Sequence, residues 1–165
     1  MIVVADTSPL NYLVLIRHQD VLPSLFGRVL TAPAVIAELR HPGTPAAVRS
    51  WATTPPPWLE VRAPASIDPD LGLGPGEAEA ISLARELKAD VVLIDERKAL
   101  TVARECGLFV TGTLGVLAIA AEKGLIALPE AIAALRRTSF RVSREVLDEF
   151  LRPGTNCSDE SRSQP

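Results

Sequence analysis

Residues 3–13 read VVADTSPLNYL, and the fold turns on how that run is parsed. Together with Ile2 it opens on a short unbroken apolar stretch, the pattern of a strand covered on both faces in a parallel sheet. The strand ends on Asp6, two hydroxyl residues follow, and Pro9 falls in the first turn of a helix running through Leu10, Leu13, Val14 and Ile16. Asp6 is then either a helix cap or a carboxylate delivered to the strand end for another purpose. With Thr7 or Ser8 as the expected cap, Asp6 is left to serve elsewhere.

The same grammar recurs along the chain. RVLTAPAVIAELR (28–40) predicts a strand near Val29–Thr31 and a helix opened by Pro33 that contains Glu38. TTPPPWLEVRAP (53–64) holds a short strand at Leu59–Arg62 between turns, and LGLGPGEAEAISLARELKAD (71–90) a helix from Pro75 to Leu87 with Glu77 and Glu79 in its first turn. In VVLIDERKAL (91–100) a second apolar strand, Val91–Ile94, stops on an aspartate, Asp95. A helix through Ala99, Val102 and Ala103 ends at Gly107, and a strand follows at Leu108–Val110. Two helices share TLGVLAIAAEKGLIALPEAIAAL (113–135), and SREVLDEFL (143–151) closes the domain with another. Strands alternating with helices predict an α/β sandwich around a parallel sheet with right-handed crossovers. One domain over 1–152 is expected, and PGTNCSDESRSQP (153–165), which has little to bury, reads as a disordered tail.

Composition narrows the function classes. Of 165 residues, 47% are apolar, enough for a substantial core, and aliphatics supply it because aromatics are only 4%. Net charge is −3, so polyanion binding would have to be local, through a patch of Arg or a bound cation. Cys106 and Cys157 make neither a disulfide framework nor a zinc site, which points to a reducing, cytoplasmic setting. The first apolar run lacks the length and basic flank of a signal peptide. The most apolar later stretch is broken by Glu122, Lys123, Gly124 and Pro129, short of a membrane span.

In open α/β sheets, ligands bind beyond the carboxyl ends of the strands. Asp6 and Asp95 both sit there, and Glu38, Glu77 and Glu79 begin or follow elements that reach the same edge. Clustered carboxylates repel unless some are protonated or a cation joins them. Hard oxygen donors favour Mg²⁺ or Mn²⁺, which needs only one or two direct carboxylates and leaves the others to hold its waters. Such an ion activates water for phosphodiester cleavage. Each acid also has an ordinary reading, as a cap or a solvated first-turn residue; the repeated strand-then-aspartate weighs against it. Arg97 and Lys98 after Asp95, and Ser8 after Asp6, are candidate substrate contacts. His18 and His41 lack ligand spacing, Ser8 has no GxSxG frame, and GLGPG lacks the Lys-Ser/Thr ending of a P-loop.

VVADTSPLNYL, APAVIAELR, GPGEAEAISLA and VVLIDERKAL, followed by TGTLGVL, in that order resemble the PIN domain, and in particular its prokaryotic VapC-like toxin branch, over about residues 1–150. The resemblance implies a three-layer α/β/α fold and an acidic Mg²⁺- or Mn²⁺-dependent ribonuclease site acting on RNA. It also implies a small antitoxin partner and a homodimer. Carried over by position, its four acids fall on Asp6, Glu38, Glu77 or Glu79, and Asp95, with Glu77 preferred and Glu79 supporting. The chain departs from the pattern twice, with glutamate where Asp is usual at the third acid and Leu93 where Thr is usual. A catalytically silent PIN-like module that binds RNA or a protein is the alternative. An aspartyl-phosphate phosphatase using Asp6 fits poorly, since Ser8 stands where its second acid belongs.

Overall fold

Ile2–Ala5 forms β1, and its side chains from Val3 on have no solvent exposure, because β1 is paired on both sides. The computed structural model describes residues 1–152; the expected disordered tail and Cys157 lie outside the described residues. β2 (Arg28–Thr31) lies parallel to β1 with Val3 opposite Val29, and β3 (Leu59–Val61) lies parallel to β2. On the other side, β4 (Val91–Leu93) pairs with β1, Val4 opposite Val92, and β5 (Val110–Thr111) pairs with β4. The all-parallel order is β3-β2-β1-β4-β5. Helices cover both faces in three layers, α/β/α. The chain winds outward from β1 to β3, returns to β4 and winds outward again, so the order reverses between β1 and β4. That crevice is bounded by the aspartates ending these two strands.

The helices follow from local chemistry. α1 (Thr7–Leu15) buries Pro9, Leu10, Leu13 and Val14, and α2 (Val21–Phe26) leads into β2. α3 (Pro33–Leu39) opens on Pro33, whose missing N–H costs nothing at a first helical position. After α4 (Ala46–Thr53) and β3, α5 (Pro75–Leu87) again opens on proline and buries Ala80, Ile81, Leu83 and Ala84 against β1 and β4. α6 (Arg97–Glu105) connects β4 to β5; α7 (Thr113–Glu122), α8 (Leu128–Arg136) and α9 (Arg144–Leu151) complete the chain as described. No helix among the described residues is long and apolar enough to cross a membrane.

Three expectations change. The strand expected at Leu108–Val110 forms at Val110–Thr111, because Gly107 (φ +79) and the Leu108 amide, bonded to the Ala103 carbonyl at 3.1 Å, still belong to the end of α6. α2 and α4 were not foreseen; both are short, and a proline stands inside one and just before the other. Neither Thr7 nor Ser8 caps α1: the helix starts at Thr7, Asp6 holds the cap position, and no side chain satisfies the amides there.

Candidate active site

Asp6 leaves β1 in extended conformation, and its N–H donates to the Leu93 carbonyl at 3.0 Å, fastening the end of β1 to β4. The side chain is only 2% exposed, and its Oδ1 is buried with no hydrogen-bond partner. A carboxylate oxygen in that state costs free energy unless the group is protonated or something binds it. Burial raises the Asp6 pKa to about 7; the Thr7 amide offsets part of this, and Glu77, Glu38 and Asp95 add to the rise. These three acids therefore share a field with Asp6, as the sheet topology predicts.

Asp95, at the end of β4, is settled differently. Its Oδ1 accepts the Thr113 N–H at 2.7 Å and its Oδ2 the Thr113 hydroxyl at 2.6 Å. Thr113 is fully buried at the start of α7. Burial pushes Asp95 upward too, while the Thr113 hydroxyl and amide pull it back. Gly112 makes the contact possible, since a Cβ there would lie 2.6 Å from Asp95 Oδ1.

Glu38 comes from the last turn of α3. Its Oε2 accepts the Thr7 hydroxyl at 2.5 Å and its Oε1 the Gly76 amide at 2.9 Å, at the start of α5. A Cβ on Gly76 would stand 2.5 Å from Glu38 Oε2, so a close approach of α5 to this carboxylate requires glycine. Glu77 follows directly; burial and then the nearby Glu96 raise its pKa, Glu38 adds to this, and the Gly74 amide and Lys98 oppose it. Arg97 and Lys98 are both exposed at the start of α6, Lys98 close enough to Glu77 to oppose its rise, and Ser8 is half-buried in α1. Glu79 is used elsewhere, since its Oε2 accepts the Ala34 N–H at 2.8 Å and so supplies the cap that α3 lacks at Ala32.

Sequence reasoning missed Thr113, Gly112 and Gly76 as parts of the site. The signal lay in GT (112–113) directly after β5, whose carboxyl end meets the same edge, and in the small residue just before Glu77. Leu93, where a hydroxyl was expected, is fully buried in the core, and the hydroxyl on Asp95 comes from Thr113 instead. Shallow surface concavities lie elsewhere, beside Arg17 and His18 and between Asp68 and Arg85. The unsatisfied buried carboxylate belongs to the acidic edge.

Among the described residues no three acidic, histidine or cysteine side chains stand grouped as a ready-made cage for an ion. The donor set nevertheless suits a hard divalent cation that keeps most of its waters and takes one or two direct carboxylates. Asp6 offers an oxygen with nothing bound to it. Asp95 and Glu38 have each oxygen already engaged once, which suits them to orienting water through remaining lone pairs.

A family model described as a PIN domain matches residues 2–155 of the chain. Among solved structures, the chain is similar to a PilT N-terminus domain protein from the hyperthermophilic archaeon Sulfolobus solfataricus P2, with 16% identity and a TM-score of 0.47 over 87% of this chain and 100% of that one. No curated protein matches at a significant level.

Proposed function

Because the chain belongs to the PIN-domain family, a family of nuclease type, we propose that it is a metal-dependent endoribonuclease and the toxin of a toxin–antitoxin pair. The observation that supports this most is Asp6: buried, unpartnered at Oδ1, and raised in pKa by burial and by the charges of Glu77, Glu38 and Asp95. Although it occupies the cap position of α1, its side chain makes no cap hydrogen bond there.

Asp6 and Glu77 would hold Mg²⁺ or Mn²⁺ directly, and Glu38 and Asp95 would hold its waters. Bound there, the ion supplies an activated water and neutralises charge on the phosphodiester. The chain's own contribution is placement. Thr113 fixes the Asp95 carboxylate, and Thr7 and the Gly76 amide fix Glu38. Lys98 stands beside the acids with a cation for a nonbridging phosphate oxygen.

The test is cleavage of RNA with Mg²⁺ or Mn²⁺ by wild type and Asp6→Asn. Loss of cleavage in the variant supports the mechanism, and equal cleavage removes it. A wild type that binds RNA but never cuts it is the silent module. The resemblance also supports a small antitoxin and a homodimer. Co-purification with the product of a neighbouring short reading frame and light scattering test these in turn.

A further inference from the structure

The net charge of −3 leaves a polyanion no general attraction, so a nuclease of this composition needs a local cationic track. We propose that residues 136–144 are that track, a four-arginine rim that holds the phosphate backbone of RNA beside the acidic site. The proposal rests on the nuclease reading for its substrate and on the fold for its position.

Arg136, Arg137, Arg141 and Arg144 fall within nine positions, with no acid among them, and all four are exposed. Five other arginines are engaged elsewhere. Arg28 and Arg62 pair with Glu60, Arg85 pairs with Asp68, and Arg40 and Arg49 bond backbone carbonyls. Among the described residues, none of the four rim arginines has a carboxylate or carbonyl partner for its side chain. Arg136 in the last turn of α8 gains from the helix dipole, but Arg144 at the first residue of α9 works against it, so helix stability does not account for the set.

Topology sets the position. α7 starts at Thr113, in contact with Asp95, and its 10 residues carry the chain about 15 Å from the site. After a short turn with Gly124 at φ +72, α8 packs against α7, and Arg136 stands in its last turn. The segment is then pinned to α1, the helix that begins beside Asp6. Tyr12 Oη and Ser139 Oγ are 3.0 Å apart, and the Tyr12 and Phe140 rings meet edge-on at 5.0 Å. By contrast, Arg104 and Lys123 lie at the carboxyl ends of α6 and α7, away from the acids. A phosphate chain suits four unpaired guanidinium groups in sequence better than an acidic protein does, since each fork takes two oxygens of one phosphate.

The experiment measures binding of short single-stranded RNA by anisotropy in EDTA as salt is raised. R136A/R137A and R141A/R144A should weaken binding at least tenfold and flatten the log–log salt slope by about 1 to 1.5 each, near 0.7 for every phosphate no longer neutralised. The Arg→Lys pairs should keep most of the slope, which a folding defect would not allow, and R104A/K123A should bind as wild type. Unchanged affinity and slope in the rim variants overturn the proposal. So does loss of polyglutamate binding in place of RNA binding, which would assign the rim to an acidic protein. Since no cleavage occurs in EDTA, failure of the nuclease reading shows separately, in the cleavage assay.

Discussion

Asp6 and Asp95 are products of the same device, an apolar strand that stops on an aspartate, on strands paired side by side. Their surroundings differ. Asp95 has both oxygens occupied by Thr113, delivered by the strand and helix that follow it on its outer side. Asp6 borders the same reversal, but the hydroxyl of Thr7, the next residue, is committed to Glu38, and Asp6 Oδ1 has no hydrogen-bond partner. A strand-then-aspartate pattern therefore fixes where a carboxylate arrives, while the next element decides whether it arrives satisfied. Asp95 is hydrogen-bonded at both oxygens and Asp6 Oδ1 at none.

Substitutions at the two corners should separate along that line. The largest effect is expected for Asp6→Asn in cleavage assays, a fall of about 1,000-fold or more, equivalent to about 4 kcal/mol of barrier. Stability should move the opposite way. Because the folded-state pKa of Asp6 is raised from 3.8 to about 7, the wild type is favoured at acid pH and loses stability as pH climbs between those values. Metal-free Asp6→Asn should then be more stable than wild type at pH 8, on the order of 2–4 kcal/mol, and equal to it below pH 4. Thermal unfolding in EDTA at the two pH values checks the sign.

Thr113→Val removes the hydroxyl from Asp95 and should cost about 1.5–3 kcal/mol of stability, with a 10- to 100-fold loss of activity that Thr113→Ser largely restores. If the Thr113→Val variant proved as stable as wild type, the Asp95 corner would not be built as described. The smallest effect is expected for Gly76→Ala. The added methyl would push the Glu38 carboxylate off the Thr7 hydroxyl and the Gly76 amide, so cleavage should fall about tenfold, roughly 1.4 kcal/mol, with a stability loss of about 1 kcal/mol read by thermal unfolding.

Much of the scaffold was legible from residues 2–5, 75–87 and 91–93, where apolar runs and helix-opening prolines leave one reading. The edge that collects the acids followed from the parallel sheet, because parallel strands deliver their carboxyl ends together. What escaped was settled by contact between distant segments. Glu77 and Glu79 are two residues apart in one helical turn, yet only packing of α5 on α3 sends Glu79 to the Ala34 amide. Thr113 is one of several threonines in the sequence, and pairing of β5 with β4 gives it Asp95. α2 and α4, at six and eight residues, are too short to show a helical period.

The central claim is that the empty oxygen of Asp6 takes a cation. Calorimetric titration of Mn²⁺ into wild type and Asp6→Asn at pH 8 decides it: saturable binding to the wild type that disappears in the variant is the predicted result. Equal binding by the two proteins, or none by the wild type, would contradict it.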